Sequence, residues 1–132
     1  MKSSEKDNYV KYRIEKAEET YEAAELLAKN KKWNSVVNRL YYAAYYGVSG
    51  LLVMEGIQTK THSGVKTQFF MNFVKTERID IGLAKLYSDL FDSRQKGDYG
   101  DFFDFTEEDV KSLLIPTRKL IDAIKREIEK DK

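Results

Sequence analysis

Apolar residues recur along this chain at alternating steps of three and four, in long stretches separated by short polar breaks. That spacing is the mark of amphipathic helices. Over 8–30, Val10, Ile14, Ala17, Tyr21, Ala24 and Ala28 share one face, and Glu15, Glu18, Glu19, Glu22 and Glu25 take the other. Asn30, Lys31 and Lys32 close this helix, with cations where the helix dipole favours them. Over 33–55, Val37, Leu40, Tyr41, Ala44, Val48, Leu51 and Leu52 make one apolar face, and Val36, Ala43, Tyr46, Gly47, Gly50 and Met54 make another. A helix apolar nearly all round is buried nearly all round. So small a domain does not easily surround one of its own helices, so the pattern predicts a second protomer covering part of it. Small residues at Ala43, Ala44, Gly47 and Gly50 allow close helix approach, and Gly56 is a natural stop.

The later elements are shorter. After a polar connection over 58–64, a short helix is predicted over 65–74, with Phe69, Phe70 and Phe73 as its apolar content. In the turn before it, Ser63 is placed to cap. A further helix over 80–96 starts from Asp80 as N-cap. Its inward stripe is Leu83, Tyr87, Leu90 and Arg94, flanked by Leu86 and Phe91. The stretch 98–109 holds six acidic residues and no basic one, interleaved with Phe102, Phe103 and Phe105. It reads as a loop that lays its Phe residues on the bundle, either a solvated connection or a docking segment for a basic partner. The last helix opens at Thr106, with Asp109 completing a variant of the capping box. It buries Val110, Leu113, Leu114, Thr117, Leu120, Ile121, Ile124 and Ile128, and Pro116 inside it is expected to kink it or break its hydrogen bonding locally. The fold class is all-α: one domain over 1–132, an antiparallel up-and-down four-helix bundle with an additional short helix.

Composition narrows the function classes. Twenty-three Lys and Arg against 22 Asp and Glu leave a net charge of +1, so no bulk field drives the chain to nucleic acid or membrane. With no Cys and one His, a disulfide scaffold, a thiolate zinc site, a Cys nucleophile and any multi-His metal site within one chain are excluded, and no metal or other cofactor is implied. No apolar run approaches the ~20 residues of a membrane span, and the first residues hold no apolar stretch for a signal peptide. A cytoplasmic protein without a membrane partner is expected.

One charged residue sits on an otherwise apolar stripe. Arg94 follows Leu83, Tyr87 and Leu90 in helical register, so it points where the core does. A buried Arg needs an anion, which a carboxylate or a phosphate supplies. The string from Arg94 through Asp98 to Tyr99 puts a cation, a carboxylate and a phenol at one helix end. Arg94 is therefore read either as a structural ion pair, with Asp98 or the acidic loop, or as a phosphate contact. Asp98 reads as a loop residue bonding local backbone, and Tyr99 as a packed aromatic or a catalytic group. His62, the one side chain that titrates near neutrality unperturbed, is a turn residue or reaches the Arg94 cleft. Asn38 and Arg39, polar within the most apolar helix, form a hydrogen-bonded pair that fixes register or add a second anion contact. The Tyr-rich face of the second helix reads as core and interface, because a base-stacking platform comes with a basic groove.

Three passages carry a family resemblance. They are Tyr12-Arg13 through Ala23-Ala24-Glu25-Leu26-Leu27; Val37-Asn38-Arg39-Leu40-Tyr41-Tyr42-Ala43-Ala44-Tyr45-Tyr46, running on through Gly56 to Lys60-Thr61-His62-Ser63-Gly64; and Arg94-Gln95-Lys96-Gly97-Asp98-Tyr99-Gly100-Asp101. Over nearly its whole length the chain resembles the HEPN family, and within it the short stand-alone members. The resemblance implies a helical bundle that forms a homodimer and is often encoded beside a minimal nucleotidyltransferase as a toxin–antitoxin pair. Active members are metal-independent ribonucleases that bring an Arg, followed a few residues later by a His, from two protomers to one cleft. The Arg there holds the scissile phosphate, and the His moves protons for attack by the 2′-hydroxyl. Arg94 matches the Arg, but Tyr99 stands where the His would be. With a pKa of about 10 against about 6.5, a phenol is much the poorer base at neutral pH.

The expected function is thus a dimeric component of a nucleotidyltransferase-linked toxin–antitoxin, stress or defence system. It binds RNA or nucleotide phosphate with Arg94, Arg39 and Asn38 and carries a degenerate motif. Two alternatives stand beside it: an active metal-independent endoribonuclease using Arg94 with Tyr99 or His62, and a nucleotide- or ligand-binding bundle without catalysis.

Overall fold

The first helix, α1 (Ser3–Lys29), begins well before the predicted start at 8, because nothing in the polar opening turn breaks a helix and Glu5 sits at its positive end. The computed structural model describes residues 3–99 and 104–130, with Ser3 and Tyr99 described by their backbone alone. Ala17 and Ala24 are fully buried, and Val10 and Tyr21 nearly so. Residues 30–32 turn the chain back: the Lys32 amide donates to the Leu27 carbonyl, with Lys31 in the left-handed region at φ 59°.

The central helix α2 (Trp33–Met54) is buried along most of its length. It packs most extensively on α1 and also meets α3 (His62–Phe69), α4 (Ile81–Tyr99) and α5 (Glu107–Lys130). The other helices of the same chain bury most of α2, and Trp33, Tyr42, Tyr45, Tyr46 and Val53 stay half-buried. Gly56 ends it as predicted, at φ +74°, while the Ile57 amide donates back to the Leu52 carbonyl.

Helix α3 starts at His62. Its cap is Thr61, whose hydroxyl accepts from the Gly64 amide at 2.8 Å, and this replaces the expected cap at Ser63. A π-helical turn (Phe70–Val74) follows, with the Lys75 amide reaching the Phe70 carbonyl. It leaves Phe69 and Phe73 fully buried with ring centroids 6.3 Å apart. Just beyond it, Arg78 pairs with Glu55 at 2.8 Å and Glu127 at 3.1 Å, tying this turn to the end of α2 and to α5.

Asp80 caps α4, accepting from the Gly82 amide at 2.9 Å. The buried positions are Ala84, Leu86, Tyr87, Leu90 and Arg94; Leu83 is half-buried. The helix runs to Tyr99 rather than 96, so Asp98 belongs to helix and not to loop. Gly97 permits this because the Phe105 ring lies on it; a Cβ added there would meet Phe105 Cε2 at 2.8 Å. Gly97→Ala is therefore expected to destabilise by about 1–3 kcal/mol through overpacking, despite the ~1 kcal/mol that helix propensity returns. Thermal melting of the variant measures it. Of the Phe residues expected on the bundle, Phe105 is buried there, and Phe102 and Phe103 lie outside the described residues.

The Thr106 capping box forms in both directions, Thr106 amide to Asp109 Oδ2 at 3.0 Å and Asp109 amide to Thr106 Oγ1 at 3.1 Å. Helix α5 is assigned without a break through Pro116. Leu113 and Leu114 are half-buried rather than in the core, and their carbonyls accept from the hydroxyls of Thr117 and Tyr21. Arg118 locks α5 to α1 through a two-pronged pair with Glu18 at 2.6 and 2.7 Å. Among the described residues there is no strand, and no helix is long and apolar enough to cross a membrane.

Candidate functional site

Arg94 is 9% exposed and projects from α4 onto the Tyr face of α2. Its guanidinium carbon lies 5.0 Å from the Tyr41 ring centroid and 5.7 Å from that of Tyr42, within the range of cation–π attraction. Nη1 is 3.4 Å from the Tyr42 hydroxyl and 3.6 Å from Asp98 Oδ2. The inward orientation read from the stripe is thus observed, and the ion pair with Asp98 is present, though long.

Asp98 does not bond only local backbone. Its carboxylate accepts from the Asn38 amide group at 3.1 and 3.3 Å. The Asn38 carbonyl oxygen in turn accepts from Arg39 Nε and Nη2 at 3.0 and 2.7 Å, and Arg39 stacks over Tyr42 at 5.2 Å. Asn38 and Arg39 therefore form the hydrogen-bonded pair expected of them, and they also join the Arg94 cluster. A cavity of about 340 Å³ opens beside it, lined by Asn34, Ser35, Asn38, Arg39 and Asp98 together with Leu27.

His62 is brought to the same cluster by its own chain. Its Nδ1 lies 2.7 Å from the Tyr41 hydroxyl, and its ring stacks on Tyr45 at 4.5 Å with planes 9° apart. One phenol, Tyr41, thus carries the Arg94 guanidinium on its face and the His62 imidazole on its hydroxyl. Tyr41 and Tyr45 were legible as one helix turn apart, but their partnership with His62 needed the meeting of α2 and α3, which spacing does not encode. Lys66, one turn after His62, sits 4.7 Å from the Phe91 ring and adds positive charge on this side. The Tyr99 side chain lies outside the described residues.

Burial first, and the Arg94 charge second, hold His62 below its ordinary pKa, so the imidazole is neutral at pH 7. Burial pushes the Tyr41 phenol up to about 12, against the pull of Arg94, and keeps it protonated. Behind them the buried Tyr87 phenol is raised much further by desolvation. When His62 Nδ1 donates to Tyr41, the Nε2 lone pair is left as a base. Among the described residues no three His, Asp or Glu side chains stand together as a metal site.

The depressed His62 pKa makes a stability statement. The unfolded chain holds this proton more tightly than the folded one, so the contribution is complete above about pH 6.5 and is lost as pH falls through the lower folded value. The melting temperature is expected to decline over that window, and His62→Gln to flatten the decline. Glu18, lowered by its hydrogen bond to Arg118, loses its contribution only in more acid solution.

The model of the HEPN domain matches residues 10–128. A UPF0332 protein of Thermotoga maritima is 40% identical over 126 residues, 96% of either chain. Two proteins of Methanocaldococcus jannaschii are also similar. "Putative toxin MJ0142" is 36% identical over 76% of this chain and 69% of its own length, and "Putative toxin MJ0605" is 31% identical over 88% and 86%.

Proposed function

The chain belongs to the HEPN domain family, and from that footing we propose that it is a toxin-like protein acting on RNA, with Arg94 as phosphate anchor and His62 as the acid–base group that its Arg…Tyr motif lacks. The observation that carries this reading is the Tyr41 phenol, 2.7 Å from His62 and 5.0 Å beneath Arg94. The names of the two archaeal relatives support the toxin-like character.

Chemically the assignment is simple. Arg94 donates N–H groups to the phosphate oxygens. Neutral His62 takes the proton of the 2′-hydroxyl, whose oxygen attacks phosphorus. The bond to the 5′ oxygen breaks, that oxygen leaves with a proton drawn from solvent, and a 2′,3′-cyclic phosphate remains. The reading includes a homodimer linked with a minimal nucleotidyltransferase partner, as the family resemblance implies.

The test is cleavage of single-stranded RNA in excess chelator. The wild type is expected to cleave, and Arg94→Ala, checked for its fold by melting, to lose cleavage. One observation favours a second reading: Asp98 lies 3.6 Å from Arg94 and competes with phosphate for it. RNA binding without cleavage would select that reading, a binding component whose degenerate motif does no chemistry.

A further inference from the structure

A second opening lies on the other side of Tyr45. A cavity of about 670 Å³ is lined by Lys6, Tyr9 and Arg13 of α1, by Tyr45 and Ser49 of α2, and by the connection beyond Gly56. Its size falls within the ~300–1,000 Å³ of small-molecule sites. Two cations line it and no carboxylate does, in a chain whose charges otherwise balance.

Arg13 is built into this wall. Its guanidinium carbon lies 5.1 Å from the Tyr9 ring and 5.6 Å from the Tyr46 ring, and Nη2 donates to the Tyr9 hydroxyl at 2.6 Å. Nε is buried and reaches no hydrogen-bond partner among the described residues. Nε is sealed inside the wall, so Arg13 meets the cavity through the outer part of a guanidinium whose five N–H donors form a rigid fork that suits phosphate. Leu52, Val53 and Ile57 supply an apolar floor. An inorganic anion would leave that floor wet; a ligand with a flat apolar body and a phosphate covers both. Tyr45 is the shared wall: it lines this cavity, and its ring stacks on His62.

We infer that the cavity between the start of α1 and the end of α2 is a nucleotide subsite, with Arg13 and Lys6 on the phosphate, adjoining the Arg94–His62 centre through Tyr45. As a subsite of an RNA strand the inference rests on the function proposed above. A strand anchored at Arg94 then lays a neighbouring nucleotide here. The shared chemistry is a nucleoside phosphate, supplied either by a strand or as a free mononucleotide.

Binding of a labelled short oligoribonucleotide and of adenosine 5′-monophosphate decides the matter, with wild type, Arg13→Gln, Lys6→Ala and Arg94→Ala compared and the fold of each checked by melting. Arg13→Gln and Lys6→Ala are each expected to weaken the oligonucleotide by about tenfold and to lower the slope of log affinity against log salt by about 0.7 per lost contact. Mononucleotide binding falls in the same two variants and survives Arg94→Ala. Lys6, half-buried near the start of α1, keeps the test open should Arg13→Gln unfold. Oligonucleotide binding that withstands Arg94→Ala but not Lys6→Ala would remove the strand reading and leave a free-nucleotide site. Affinities for both ligands within about twofold of wild type in Arg13→Gln and Lys6→Ala would overturn the subsite, as would a wild type that binds neither.

Discussion

His62→Ala is expected to slow RNA cleavage by roughly 10²–10⁴-fold, the usual contribution of one positioned acid–base group, while RNA binding changes little. The two effects separate if, as proposed, Arg94 and not His62 carries the anchoring charge. Tyr41→Phe distinguishes a positioning residue from a reacting one. It removes the hydroxyl 2.7 Å from His62 Nδ1 but keeps the ring beneath Arg94. The rate is expected to fall less than in His62→Ala, and the pH profile to shift with it. In the wild type the base form of His62 must be present, so the rate rises with pH through its lowered pKa and is flat above about 6.5. Tyr99→Phe is expected to leave the rate near wild type. A His62→Ala protein that cleaves normally while Tyr99→Phe does not would move the acid–base role to the residue the motif spacing points to.

Phe69→Ala is expected to cost about 3–5 kcal/mol, the range for a large aromatic removed from a packed core. On a chain of this size that lowers the melting temperature by on the order of 10 °C. Phe69 is fully buried at the junction of α3 and the π-helical turn. Its ring meets Phe73 at 6.3 Å and, edge on, Tyr87 at 5.6 Å. Tyr87 then stacks on Tyr41 at 6.0 Å. The void therefore opens beside Tyr87, the ring that backs the phenol hydrogen-bonded to His62, and the surviving folded protein is expected to cleave more slowly. Phe69→Leu, which leaves a smaller void, should recover most of both losses. Denaturant melts and cleavage rates on the same samples read the two together.

Much of this arrangement is legible in the order of residues, wherever the cause is local. Asp80 and Thr106 are caps because their side chains reach amides two or three residues on, and Gly56 stops α2 through its own backbone. Arg94 announces itself because helical spacing alone decides which way it points. What stayed hidden depends on elements distant in sequence. The end of α4 could not be read from Gly97 and Asp98, which look like a stop. The ring of Phe105 and the amide of Asn38, both brought in by the fold, hold that last turn. Between a turn residue and one that reaches the Arg94 cleft, the sequence leaves His62 open, because its partners, Tyr41 and Tyr45, lie on another helix. The two apolar faces of α2 were visible, but not which neighbours would cover them.

A helix sheathed by its own chain leaves no raw core waiting for a neighbour, so each molecule reaches its partners already complete. In the homodimer proposed above, each copy would bring its Arg94 cluster already formed, since Tyr41, Tyr42 and Asp98 of the same chain build it.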